Sequence, residues 1–283
     1  MRISTILQHK PAELKQSSSP RLDVEVLLSF ILRKNRSFLY AWDNYELNGV
    51  EIAQFEELFE QRQRGKPIAY LTGKREFWSM EFEVNENTLI PRPETELLVE
   101  VALNVLPKKA TVWDLGTGSG CIALAIAKER SDCSVFGIDK SVSALEVARR
   151  NAQRLNISVK WVESDWFSNL RGLKAEMIIS NPPYISKDDP HLKQGDVQFE
   201  PQSALISGEK GLDDILYLID KSRNFLTMNG WLWIEHGFDQ RACIKSLLNS
   251  RGYTNINTYD DANGQARVCG GQYNLSDKFH LLS

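Results

Sequence analysis

The run Ser180-Asn181-Pro182-Pro183-Tyr184-Ile185 carries groups suited to holding a flat NH2 group. An asparagine carboxamide oxygen and a proline carbonyl can accept its two N–H bonds, and an aromatic face can lie against its plane. Two successive prolines fix φ and donate no backbone hydrogen bond, so the segment leaves its strand stiff and extended. Taken alone, the run reads equally well as a proline-rich turn capping a strand. A second stretch upstream moves that balance toward chemistry. Asp114-Leu115-Gly116-Thr117-Gly118-Ser119-Gly120 is a Gly-x-Gly-x-Gly loop, whose backbone can turn sharply and approach a ligand closely. It lacks the Gly-x-Gly-x-x-Gly spacing of pyrophosphate binders. Asp139 lies about twenty residues beyond the loop and is placed to accept hydrogen bonds from both ribose hydroxyls of an adenosine. The competing readings are a glycine turn for close packing and a plain strand-end aspartate.

Alternating strands and helices must position these groups. Thr111–Leu115 reads as a strand that runs into the glycine loop, with a helix over 121–128 behind it. A second strand over 134–138 ends in Asp139, a helix spans 144–154, and a third strand over 159–162 ends near Ser164-Asp165. A fourth strand over 175–179 delivers Asn181 at its carboxyl end, and 231–235 forms a fifth. Residues 254–259 and 266–268 read as a closing antiparallel pair. Strands separated by helices imply a parallel, doubly wound sheet, which binds ligands outside the carboxyl ends of its strands.

The amino-terminal seventy or so residues read as helical. Leu22, Val26, Leu27, Phe30 and Ile31 recur at helical spacing with Asp23 as the expected cap, Ser37 is the expected cap of a short second helix, and a third covers 50–64. This bundle shows no cluster of titratable groups and reads as a packing or docking module. Phe77, Trp78, Met80, Phe82 and Val84 nearly alternate, which predicts a hairpin between two domains. Pro93 suits a helix start, and Glu94 and Glu96 favour its positive end, which accounts for both acids without a site role. The net charge of −3 over 283 residues argues against a protein that holds nucleic acid mainly through phosphates. Four scattered cysteines without a Cys-x-x-Cys pair suggest neither zinc nor a disulfide framework, so no metal is expected and a cytoplasmic location is. No signal-peptide-like or membrane-spanning run is present, so no membrane association is expected.

The glycine loop with Asp139, in a strand–loop–helix–strand frame, resembles the S-adenosylmethionine site of Rossmann-like methyltransferases. Asp114 either holds the loop through backbone N–H groups or touches the methionine moiety. Trp166, after the third strand, either stacks on the adenine or is a core tryptophan. A methylsulfonium is already activated, so the task left is to place a nucleophile in line with its methyl carbon. Amide and exocyclic amine nitrogens are poor nucleophiles because their lone pairs are delocalised. Accepting both N–H bonds at Asn181 and the adjoining carbonyl would orient that nitrogen and stabilise the positive charge it develops. No dedicated base is needed; His191 and the Glu235-His236 pair are the candidates if one acts.

Further stretches make the resemblance specific. Pro67-Ile68-Ala69-Tyr70-Leu71-Thr72-Gly73, Ile90-Pro91-Arg92-Pro93-Glu94-Thr95-Glu96, Ser164-Asp165-Trp166-Phe167, Asp189-Pro190-His191-Leu192, Phe199-Glu200-Pro201 and Glu235-His236-Gly237 look like the release-factor glutamine methyltransferases. The resemblance runs along nearly the whole chain. It implies a Rossmann-like, seven-stranded class I methyltransferase domain over 89–283, a helical docking domain over 1–72 and a hairpin linker over 73–88. It implies methylation, from S-adenosylmethionine, of the glutamine N5 in the Gly-Gly-Gln motif of class 1 peptide-chain release factors; a monomer without direct nucleic-acid binding is expected beside it. Gly116, Thr117, Gly118, Ser119, Gly120, Asp139, Trp166 and Asn181 are the implied cofactor contacts. Asn181, Pro182, Pro183 and Tyr184 are the implied contacts of the target amide, with Asn181, Pro182 and Tyr184 acting in the transfer. The run Asn263-Gly264-Gln265-Ala266-Arg267-Val268 departs from the family pattern, and the chain's own Gly270-Gly271-Gln272 reads as coincidence.

Three other readings remain open. One is the sister class that methylates a glutamine of a ribosomal protein. Another is an adenine-N6 methyltransferase, opposed by the acidic balance and the lack of a basic, aromatic-rich recognition domain. The third is an inactive scaffold, which titration with S-adenosylmethionine would distinguish.

Overall fold

A computed structural model describes residues 1–274, so the expected domain end at 283 lies outside the described residues. The chain forms two compact units, Met1–Lys74 with Pro190–Phe199, and Arg75–Asp189 with the chain from Glu200 onward.

The first unit holds helices α1 (Ile3–His9), α2 (Pro20–Leu32), α3 (Arg36–Ala41), α4 (Gly49–Gln63) and α5 (Ile68–Thr72). Ile3, Leu27, Phe55 and Phe59 are fully buried among them. Helix α4 starts in a capping box, where the Asn48 side chain accepts from Glu51 N at 3.0 Å and the Glu51 carboxylate accepts from Asn48 N at 2.8 Å. Two expected caps are corrected. Helix α2 starts earlier, at Pro20, which suits a first helical turn, so Asp23 lies inside the helix and turns into the unit. There it accepts from Arg62 Nε at 2.8 Å and Ser17 Oγ at 2.6 Å. Asn35, not Ser37, caps α3, its Oδ1 accepting from Phe38 N at 3.1 Å. The bundle also has the titratable clusters that its sequence did not show. Arg62 is buried and bridges Asp23 to Asp196 of the returning segment, the second contact at 2.9 Å. Glu25 is buried against Arg21, Arg36 and Tyr40. Burial pushes the Glu25 carboxyl up, but hydrogen bonds from Tyr40 and Arg36 outweigh it and hold the pKa below the usual range.

The second unit opens with a hairpin of β1 (Lys74–Phe77) and β2 (Met80–Glu83). Its turn residues Trp78 and Ser79 both have φ near +50°, the geometry of a tight hairpin turn. Phe77, Met80 and Phe82 join one hydrophobic core with residues of α6 (Glu96–Val105) and α7 (Cys121–Glu129), so the hairpin is packed rather than a free tether.

Strands β3 (Thr111–Leu115), β4 (Ser134–Asp139), β5 (Lys160–Glu163), β6 (Ala175–Ser180), β7 (Leu226–Glu235), β8 (Tyr253–Asp260) and β9 (Ala266–Tyr273) form a seven-stranded sheet of order β5-β4-β3-β6-β7-β9-β8. The pairs from β5 to β7 are parallel; β7–β9 and β8–β9 are antiparallel. Helices α8 (Val142–Leu155), α9 (Asp213–Ser222) and α10 (Arg241–Ser250) complete the unit. Strand β3 pairs with β4 on one side and β6 on the other, so the crossovers diverge there and open a crevice above the carboxyl ends of β3 and β6. The glycine loop and Asn181 leave the sheet at those two ends.

Strand β9 is longer than expected and contains Gly270-Gly271-Gln272. A Cβ on Gly270 would lie 2.2 Å from the Leu232 carbonyl oxygen, and Gln272 Nε2 donates to Asn229 O at 2.8 Å. This Gly-Gly-Gln is sheet packing held on both sides by paired strands.

Candidate functional site

The crevice is a cavity lined by Gly116, Gly118, Asp139, Trp166, Asn181 and Pro183 of the expected residues. Gly116, Gly118 and Gly120 all have positive φ, which lets the loop fold back between β3 and α7. Thr117, Ser119 and Gly120 do not line the cavity. Thr117 and Ser119 are buried, and a Cβ on Gly120 would meet the Trp161 ring at 2.9 Å and Ala148 at 3.0 Å, so that glycine is set by packing.

Asp114 is wholly buried beneath the loop. Its Oδ2 accepts from Thr117 Oγ1 at 2.5 Å and Ala123 N at 3.1 Å, joining the loop to the first turn of α7. Its Oδ1 is buried with no hydrogen-bond partner among the described residues, and burial pushes the carboxyl up to about 7. Asp139 braces the loop from the other side: Oδ2 accepts from Gly118 N and Oδ1 from Ser141 N, both at 2.9 Å. Each carboxylate oxygen keeps a lone pair for a further donor. Burial raises the Asp139 pKa, a cost that donors arriving from a bound diol would relieve. The residues present therefore fit an adenosine ribose. Trp166 has φ +48°, and its Nε1 donates to Asp214 Oδ1 at 3.1 Å, which turns the ring toward Gly116.

On the other wall, Asn181 Nδ2 donates to Thr95 Oγ1 at 3.2 Å. Pro183 lines the cavity, whereas Pro182 is buried and does not. Tyr184 is not among the lining residues either. Its hydroxyl donates to Glu235 Oε1 at 3.2 Å, and its backbone carbonyl accepts from Gln240 Nε2 at 3.1 Å. Burial and the neighbouring Glu235 push the phenol pKa up, so Tyr184 stays neutral. Glu235 ends β7 one position past Ile234, which pairs with Ser180, so it stands beside the root of the Asn181 loop. It is 1% exposed, and burial pushes its carboxyl up to about 7 against the Thr95 and Tyr184 hydroxyls and Arg267.

Of the two histidines, His191 is exposed in the turn Pro190–Lys193. His236 is fully buried, with Nδ1 at 2.7 Å from the Gly237 carbonyl oxygen, and burial lowers its pKa. It is a strand-end core residue.

Several site residues escaped the sequence reading. Glu86, Asn87, Thr88 and Leu89 line the cavity from the segment after the hairpin, and Pro201, Ser203 and Ala204 line it from the far end of the loop after Tyr184. Arg92 is ion-paired with the buried Glu200, which also accepts from Ile90 N at 3.4 Å, so these two lining segments are tied together. Asn151, wholly buried on α8, bonds both backbone groups of Glu83, at 2.7 and 3.0 Å, and the Ser119 carbonyl at 2.9 Å. The Arg92–Glu200 and Asn151–Ser119 contacts span 108 and 32 residues of sequence, so no local window shows either.

This architecture matches known proteins. Residues 93–197 match the methyltransferase small domain model, and residues 5–73 match the PrmC N-terminal domain model. A release factor glutamine methyltransferase of Salmonella typhimurium is 46% identical over 263 residues, covering 92% of this chain and 95% of its own. The chain belongs to the release factor glutamine methyltransferase family. A second member, from Pseudomonas aeruginosa, is 46% identical over 275 residues, covering 96% of this chain and 98% of its own. A methyltransferase structure from Pyrococcus furiosus superposes with a TM-score of 0.54 at 16% identity, over 76% of this chain and 98% of that one, a likeness of fold. The seven-stranded unit is thus a Rossmann-like class I methyltransferase domain, preceded by the family's helical amino-terminal domain.

Proposed function

We propose that the protein methylates the N5 side-chain amide of the glutamine in the Gly-Gly-Gln motif of class 1 peptide-chain release factors, as a cytoplasmic monomer using S-adenosylmethionine. Gly116, Gly118, Asp139 and Trp166 would hold the cofactor, with Asp139 taking the ribose hydroxyls and Trp166 lying along the adenine. Bound there, the cofactor supplies a methyl group already activated on a sulfonium. The observation that carries the reading is the Asn181 carboxamide. Its NH2 is engaged by Thr95, which leaves Oδ1 as an acceptor at the cavity, beside the loop that would hold the cofactor. An acceptor there takes an N–H of the target amide and turns its nitrogen lone pair toward the methyl carbon. As positive charge develops on that nitrogen, the same oxygen and the adjoining backbone carbonyls stabilise it. The extra proton then leaves to water. A glutamine flanked by glycines has a slim backbone that suits a narrow entry over Pro183, whereas an adenine would first need unstacking, at about a few kcal/mol.

The test follows labelled methyl from the cofactor into release factor, ribosomal protein and nucleic acid in parallel, with peptide mapping of the product. The expected result is one methyl on the Gly-Gly-Gln glutamine, with intact release factor a far better acceptor than a short Gly-Gly-Gln peptide, since remote contacts supply binding energy for alignment. Label chiefly in a ribosomal protein overturns the substrate, and label chiefly in N6-methyladenine overturns the amide chemistry as well.

A further inference from the structure

Two acids hold the glycine loop by its donors: Asp114 accepts from the Thr117 hydroxyl at 2.5 Å and Asp139 from Gly118 N at 2.9 Å. A loop carbonyl needs a donor instead, and at Ser119 that donor is Asn151 Nδ2, at 2.9 Å. Asn151 lies on α8 and is wholly buried. Its second N–H goes to Glu83 O at 3.0 Å, while Oδ1 accepts from Glu83 N at 2.7 Å. Glu83 N can only donate and the two carbonyls can only accept, so a single orientation of the carboxamide satisfies all three groups. Glu83 ends β2, and the chain enters the cavity lining at Glu86; Ser119 follows the lining residue Gly118. One buried side chain thus ties two stretches of the lining together. Aspartate would match its shape but lacks the donors, leucine has neither donor nor acceptor, and glutamine adds a methylene at a filled position.

We propose that Asn151 is a positioning residue for the cofactor, holding the glycine loop in its binding form before the cofactor arrives. This rests on the S-adenosylmethionine reading above. Asn151 acts only through Ser119 and Glu83. The loop needs such a tie because Gly116, Gly118 and Gly120 open many alternative backbone conformations to it. The apparent affinity of a site is its intrinsic affinity scaled by the fraction of molecules in the binding form. Breaking the Ser119 tie lowers that fraction, and the arriving cofactor must then order the loop itself. Once it is bound the loop has its former shape, so the transfer that follows is little changed.

The experiment titrates the full chain with S-adenosylmethionine in a calorimeter, well below the unfolding midpoint of each variant, and follows methyl transfer to intact release factor in parallel. Asn151→Asp keeps the shape and the acceptor for Glu83 N but turns a carboxylate on both carbonyls. Its Kd is expected to rise about tenfold or more, the size of losing two neutral hydrogen bonds, with the binding stoichiometry of wild type. The KM for cofactor should rise with it, while kcat at saturating cofactor stays within about threefold of wild type. Asn151→Ser adds no charge and leaves room for a water, so its Kd should lie between; it carries the test alone if Asn151→Asp does not fold. Arg150→Gln, one position away, breaks only the half-exposed pair with the Glu83 carboxylate at 2.7 Å and should leave Kd within about twofold. Wild-type affinity in Asn151→Asp or in Asn151→Ser, a loss confined to stoichiometry or to kcat, or an equal rise of Kd in Arg150→Gln overturns the inference. A wild-type protein that does not bind S-adenosylmethionine overturns the cofactor reading and the inference with it, whereas wild-type binding with unaffected variants overturns the inference alone.

Discussion

Replacing Asp139 by alanine isolates what one carboxylate does for cofactor binding. The side chain accepts backbone N–H bonds from Gly118 and Ser141, each at 2.9 Å, and in the proposed site it would offer its remaining lone pairs to a ribose diol. The Gly118 and Ser141 amides are part-buried, so once freed they can turn to water, and the loss in folding stability is expected to stay near 1 kcal/mol. The diol loses charge-assisted bonds worth about 1.5–3 kcal/mol. At about 1.4 kcal/mol per factor of ten, the dissociation constant of S-adenosylmethionine should rise about 10- to 150-fold. Asp139→Asn keeps one acceptor oxygen and should fall between the two. Calorimetric titration of each variant measures this directly, with thermal unfolding alongside. At saturating cofactor kcat should remain within a few-fold of wild type, because the ribose lies away from the reacting methyl. An unchanged dissociation constant in Asp139→Ala, or equal affinity in Asp139→Asn and wild type, refutes the assignment of Asp139 to the ribose.

Asn181→Ala should lower kcat by about 10²–10³, the usual loss of one preorganised hydrogen-bonding group, with a smaller loss of cofactor affinity; Asn181→Asp, which keeps an acceptor but loses the donor to Thr95, should lie between alanine and wild type in single-turnover assays. Arg62→Met should destabilise the helical unit by about 3–5 kcal/mol in denaturant titrations, because it strands the buried Asp23; Arg62→Met combined with Asp23→Leu should recover most of that. Asp114 and Glu235 are both pushed up to about 7 by burial, so the folded state binds more protons than the unfolded one between the ordinary carboxylate range and pH 7. Their contribution is fully present below the unfolded pKa and is lost as pH rises to about 7, at up to about 1.4 kcal/mol per pH unit for each group. His236, with a lowered pKa, works in the opposite direction near its ordinary value. Urea titrations across this range should show a shallower decline of stability with pH in Glu235→Gln than in wild type.

The order of strands and helices was legible because each element carries its own pattern. Buried runs such as Thr111–Leu115 and residues 175–179 alternate with amphipathic helices, and that alternation already requires a parallel sheet. That Gly116, Gly118, Asp139 and Asn181 would line one cavity was legible for a related reason: in such a sheet the loops after particular strands must meet at one end. Local signals were weaker at helix starts. Asp23 and Ser37 have the chemistry of caps, yet Pro20 and Asn35 start those helices, and long-range packing decided what became of Asp23.

Which residues stand behind the motif was decided in three dimensions. Thr95 and Asn181 are 86 positions apart, and Tyr184 and Glu235 are 51 apart, so no window of sequence holds either pair. Thr95 sits between two glutamates whose place at a helix start is explained without it, and Glu235 resembles any acid that ends a strand. The meeting of Tyr184 with Glu235 depends on β6 pairing with β7 in a register that puts Ser180 opposite Ile234. The sequence by itself determined that Asn181 and the glycine loop would share one end of the sheet, because glycines, prolines and the strand–helix period act locally. Only the tertiary structure decided which groups stand behind Asn181 and Tyr184, because Thr95 and Glu235 reach them from distant stretches of the chain.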